Sequence, residues 1–192
     1  EGVLEKLSGP DAGELIENSE ETATNGRPLL WSVNWNLVDL YRKMKLLPQA
    51  LDKLTVLLSL LQDNAGAIEA GQVYRGMGEI YQERNDGTNA AHFLEKSIQE
   101  LKTSSGQASG KRQTKTAART LCRELCRSLL SLGLFLLERG DLDLAREKLQ
   151  ECHTQVGGQE GMDGLLSEAN LLLAQIHNRR SDLERGLALN RE

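Results

Sequence analysis

The chain has 192 residues, 39% hydrophobic and 27% charged, with a mean hydropathy of −0.43 and a net charge of −5. That is enough chain for one domain with a core of its own. No apolar run reaches the ~18 residues a membrane span needs, and the acidic balance argues against a general nucleic-acid binder. Three cysteines are too few, and odd in number, for a disulfide framework, so a reducing intracellular compartment, cytoplasmic or nuclear, is expected. No signal-peptide pattern opens the chain, and its start at Glu1 suggests a fragment of something longer.

Residues 1–29 form an acidic segment punctuated by Gly9-Pro10 and Gly26-Arg27-Pro28. Val3, Leu4 and Leu7 could end a preceding repeat. Asp11, with Glu14 three residues on, could cap a short helix over 11–23. From residue 30 the apolar period is helical. Helix pairs are expected at 30–44 with 47–62, 68–84 with 88–102, 117–139 with 142–155, and 162–179 with 181–190. The insert 103–116 has no apolar period and reads as a flexible loop. The fold class is therefore all-α, with more than about 65% helix.

One word recurs in these pairs. It reads Leu37, Val38, Tyr41, then Ala50, Leu54, Leu58 in the first. It becomes Tyr74, Met77, Gly78, Tyr81, then Ala90, Leu94, Ile98 in the second. The third has Leu129, Leu132, Gly133, Leu136, then Ala145, Leu149, Cys152. A degraded fourth has Asn170, Leu173, Ala174, His177, then Gly186. Spacings of three and four put these residues on one helix face. Small residues at fixed places let the partner helix approach closely. Asn85-Asp86-Gly87 and Arg139-Gly140-Asp141 supply turn chemistry between helices, and Pro48 suits the first turn of a helix. Self-similarity of this kind indicates an α-solenoid of about four helical hairpins over 30–192.

The recurring word resembles the tetratricopeptide repeat (TPR) family, best in Tyr74…Met77-Gly78…Tyr81…Ala90…Leu94 and Leu132-Gly133…Leu136…Gly140-Asp141…Ala145. The first copy has Val38 where Gly or Ala is usual. The period departs from the family's: Tyr41 to Tyr81 is 40 residues, Leu136 to His177 is 41, and Tyr81 to Leu136 is 55. It is similar to long-repeat TPR scaffolds. The resemblance implies a protein–protein interaction scaffold that binds a partner segment on the concave face of the first helices. Projected onto that face are Trp35, Asp39, Arg42 and Lys43, then Arg75, Glu79, Gln82 and Glu83. Arg127, Leu130, Leu134 and Leu137 follow, then Leu171, Gln175, Asn178 and Arg179. Trp35 and Asp39 stand where a carboxylate clamp would begin, so a co-chaperone reading is disfavoured.

Chemistry has little to stand on. Gly106…Gly110-Lys111-Arg112 has three residues between its glycines, Arg in place of the hydroxyl, and no preceding strand, which a phosphate-binding loop requires. Cys122 and Cys126 share a helix face, with Cys152 and His153 on the next helix, but core packing is the expected use of these thiols rather than metal. His177 is expected to be a packed ring. No catalytic residue, cofactor or metal is expected, and the chain does not read as an enzyme.

Two surfaces stand out. Residues 102–127 hold seven Lys or Arg against Glu124 alone, so Arg119, Arg123 and Arg127, with Arg112 and Lys115, could form one positive stripe. Leu130, Leu134 and Leu137 give their helix a second apolar face, which Leu171 could extend. The expected partner is thus a protein or peptide segment, apolar and acidic in part. Two other readings stand beside it: a nucleic-acid or chromatin module using the basic band 111–127, and a non-catalytic regulatory or substrate-binding domain of a larger enzyme.

Overall fold

A computed structural model describes residues 29–61, 66–107, 114–157 and 159–189, and within them every regular element is a helix, with no strand. The helices are α1 (29–43), α2 (Leu47–Ser59), α3 (Ala67–Glu83), α4 (Gly87–Gln107), α5 (Lys115–Arg139), α6 (Leu142–Val156) and α7 (Asp163–Leu189). The expected helix over 11–23, together with Lys111 and Arg112, lies outside the described residues. The described residues divide into two compact units, one ending at Leu60 and the other starting at Leu61.

The first three copies of the word fold the same way, down to their backbone hydrogen bonds. After α1, Lys45 N–H donates to Arg42 O (3.0 Å) and Leu46 N–H to Tyr41 O (2.8 Å). After α3 the same bonds run from Asn85 to Gln82 (2.9 Å) and from Asp86 to Tyr81 (2.9 Å). After α5 they run from Gly140 to Leu137 (3.2 Å) and from Asp141 to Leu136 (3.0 Å). This paired closure satisfies helix-end carbonyls and puts one residue in the left-handed region. That residue is Lys45 (φ 58°), Asn85 (φ 59°) and Gly140 (φ 87°) in turn. The next helix then starts at once. Ala50, Ala90 and Ala145, all fully buried, donate to Leu46, Asp86 and Asp141. Asp86 also caps α4, its Oδ1 accepting Asn89 N–H at 3.2 Å, and the side-chain and backbone bonds from Asn89 hold its carboxyl below the usual value.

A left-handed lysine carries a Cβ clash that glycine avoids. Lys45→Gly is therefore expected to raise stability by about 0.5–1 kcal/mol, and Gly140→Ala to lower it by about 1 kcal/mol. Chemical denaturation of the two variants checks both signs.

In the larger unit each helix packs on the next in sequence, and α3, α5 and α7 also pack in series. The small residues decide how close the hairpin partners come. A Cβ built on Gly78 would sit 2.6 Å from Leu94 Cγ, and one on Gly133 would sit 2.6 Å from Leu149 Cδ2. Leu94 and Leu149 are fully buried beside Leu101, Leu129 and Leu132. Burial of each such side chain is worth roughly 1.5–3 kcal/mol. Phe93 stacks between Tyr74 and Tyr81, with ring centroids at 6.3 and 5.4 Å. Ser97 joins three helices: its Oγ donates to Gly71 O of α3 at 2.6 Å and lies 2.8 Å from Ser128 Oγ of α5.

Three expectations need correction. The insert is not a loop over 103–116, because α4 runs through 107 and α5 starts at 115, capped by Thr114 Oγ1 accepting Ala117 N–H at 3.3 Å. Residues 108–114 separate the two helices, 108–113 of them outside the described residues, so longer helices absorb most of the extra period. The fourth pair is not a hairpin: α7 continues through 179–181, where no Gly or Pro breaks it. Its register is also one residue earlier than expected. Ala169, Leu172 and Ile176 are buried, while Asn170, Ala174 and His177 face out, so His177 is an exposed ring.

Candidate functional site: a groove on the first helices

A groove of about 360 Å³ lies across α3, α5 and α7. Its walls are Arg75 and Glu79 from α3, Arg127, Leu130, Ser131 and Leu134 from α5, and Leu165 and Glu168 from α7. Five of the eight were projected onto this face from the helix period: Arg75, Glu79, Arg127, Leu130 and Leu134. The helical repeat brings them together because each occupies a place flanking the packed word of its own first helix.

The floor is ionic. Glu124, 3% exposed, accepts Arg75 Nη2 at 3.0 Å and Arg127 Nη1 at 2.8 Å. Arg75 Nη1 reaches Glu79 Oε1 at 3.3 Å, and Ser131 Oγ donates to the same oxygen at 3.1 Å. Arg75 Nε is buried with no hydrogen-bond partner. Its guanidinium is thus held on two of its nitrogens by α3 and α5 carboxylates. Gln82 Nε2 donates to Glu138 Oε2 at 2.6 Å, tying α3 to α5 nearer the hairpin turn. Glu124 is the residue that sequence reasoning missed. Its signal was present: it is the one acid among seven cations, on the packed side of a helix where an unpaired charge is costly.

The leucine face is not one bare patch. Leu130 and Leu137 are 4% and 1% exposed, both within the core, whereas Leu134 is 38% exposed. Packing of α5 against α3, α4, α6 and α7 covers most of its circumference, so the second apolar face is largely core. Leu137 in particular carries no accessible surface for a ligand, and its carbonyl accepts Arg179 Nη1 at 2.7 Å. Leu171 is exposed on α7 but does not line the groove.

The basic stripe is divided among different partners. Arg127 belongs to the ionic floor, and Arg119 Nη2 donates to Glu160 O at 2.5 Å in a second groove of about 510 Å³ with Lys115 and Gln159. Arg123 is half-buried and lines neither groove. Trp35, Asp39 and Arg42 lie in the smaller unit. There Trp35 stacks on Trp31 at 6.2 Å, Asp39 pairs with Lys43 on the exposed surface, and Arg42 is half-buried.

The cysteines meet along the α5–α6 contact. Cys126 Sγ points at Cys152 O (3.9 Å) and Cys152 Sγ at Cys126 O (3.7 Å), and both side chains are fully buried. Cys122 is half-buried, and Gln159 Nε2 donates to its Sγ at 3.3 Å. Hydrogen bonding from Cys126, helped by Gln159, holds the Cys122 thiol down to about 6, and the same contact with Cys122 pushes Cys126 up. Iodoacetamide at pH 7 is therefore expected to alkylate Cys122 ahead of the two buried thiols. The rate should fall as pH drops through about 6, where the thiolate is protonated; peptide mapping by mass spectrometry checks it. Among the described residues no group of three or more His, Cys, Asp or Glu could hold a metal ion, and no helix is long and apolar enough to cross a membrane.

No protein-family model matches the chain, and no curated protein matches it.

Proposed function

We propose that this chain is a protein–protein interaction scaffold of the TPR-like α-solenoid kind, and that the α3–α5–α7 groove binds a partner segment. The observation that supports it is the groove's composition. A concave surface shared by three first helices presents exposed Leu134 and half-buried Leu165 above an ordered floor of charged side chains. Apolar walls supply affinity, and fixed polar groups supply register. The ion pairs hold the floor rigid, which lowers the ordering cost of binding. The groove carries both signs of charge, so the segment it suits is apolar with polar ends rather than strongly acidic. Four stacked first-helix copies were expected, and three line this groove.

The test uses a random-peptide display library selected on the whole chain. Selected peptides should bind the parent protein and lose at least tenfold in affinity to Leu134→Glu, about 1.4 kcal/mol or more. The variant should keep its melting temperature within a few degrees, because Leu134 is already exposed. Unchanged binding by a folded Leu134→Glu would remove the groove from the function.

A further inference from the structure

The helix α1 carries an apolar stripe that faces away from its own packing. Val38 is its buried residue, with Trp31, Asn34, Trp35, Tyr41 and Arg42 half-buried. On another side lie Leu30, Val33, Leu37, Leu40 and Met44, spaced three, four, three and four. Four of these five are between 46% and 58% exposed, and Leu37 is half-buried. An uninterrupted alternation of three and four is the seam by which one helix packs knobs-into-holes on another. A lone exposed leucine needs no explanation, but five large apolar side chains in such register do.

We infer that this seam pairs with the same seam of a second copy of the chain, as an antiparallel two-helix contact centred on Leu37. Three observations select that occupant. The seam is close to symmetric about Leu37, its other members lying at −7, −4, +3 and +7. A two-fold axis there sets Leu30 of one copy against Met44 of the other, Val33 against Leu40, and Leu37 against its own mate, which is the self-complementary arrangement that an isologous contact requires. The flanks suit a copy as well. Asn34, Asn36, Tyr41 and Lys43 border the seam, and Lys43, its one charged member, is paired with Asp39. Nothing there repels a copy, and nothing would attract a strongly charged partner. The area is also sufficient. Two such stripes bury on the order of 1,000 Å² together, the lower bound of a specific interface, so the pairing is weak and reversible. By contrast, the sequence before α1 offers no matching seam: Leu4 and Leu7 begin a three-spacing that then meets Asp11 and Glu14.

Sedimentation of the whole chain from about 1 to about 100 µM tests this. The parent should pass from monomer to dimer across that range. Leu40→Glu and Met44→Glu, at exposed positions, should stay monomeric with unchanged circular dichroism. Leu37→Cys should form a disulfide-linked dimer under mild oxidation far faster than Leu40→Cys, because Leu37 alone faces its mate. A parent that remains monomeric at about 100 µM would overturn the inference. So would a Leu40→Glu variant that still dimerises, or cross-linking no faster at 37 than at 40. Loss of folded structure in Leu40→Glu would mean the stripe is covered within the chain, and would overturn it equally.

Discussion

Replacing Glu124 with alanine is expected to destabilise the larger unit by about 3 kcal/mol, read from urea denaturation. The carboxylate is almost wholly buried and pairs with two guanidinium groups, Arg75 and Arg127. Without it, Arg75 keeps only the longer contact to Glu79, and its side chain is just 18% exposed. The buried positive charge left behind is what costs; the lost hydrogen bonds are a smaller part. Removing both charges tests that distinction. Glu124→Leu combined with Arg75→Leu should cost less than the sum of the two single changes, because the desolvated pair goes together and Arg127, 47% exposed, keeps its water. A single Glu124→Ala cost below about 1 kcal/mol would mean that solvent already screens the floor.

Gly133→Leu is expected to cost about 3 kcal/mol, at the upper end for overpacking, because even its Cβ would fall 2.6 Å from the Leu149 side chain. Leu149→Ala alone should cost about 2–5 kcal/mol through the cavity it leaves. Gly133→Ala with Leu149→Ala should cost less than the sum of the two single changes, since the new methyl enters the vacated space. The same coupling is expected between Gly78 and Leu94, again 16 residues apart. Strict additivity in both pairs would mean the hairpins are not held at the close approach their small residues permit.

The hairpins were legible because their determinants are local. Tyr41, Tyr81 and Leu136 each close the same turn, and a buried alanine follows each nine residues later, so recurrence in the sequence became recurrence in the backbone. The fourth copy misleads because it matches in residue type alone, with Gly186 in the place of the second-helix alanine. No Gly or Pro lies between it and His177, and α7 simply continues. The loop over 103–116 misled for a related reason. Thr103, Ser104 and Ser105 lack an apolar period but propagate a helix already nucleated by packed residues such as Leu101. The groove was half legible. Period gave Arg75, Glu79, Arg127, Leu130 and Leu134, whereas Leu165 and Glu168 depended on the true register of α7. The fate of Glu124 and of Leu137 depended on which helices surround α5, and that is a non-local fact.

The groove can be tested most directly by hydrogen–deuterium exchange of the whole chain, with and without a selected library peptide. Added protection is expected in α3 around 75–79, in α5 around 127–134 and in α7 around 165–168, with little change in α4 and α6. Protection confined to α4, α6 or α1, with these three segments unaltered, would contradict a binding groove on the first helices.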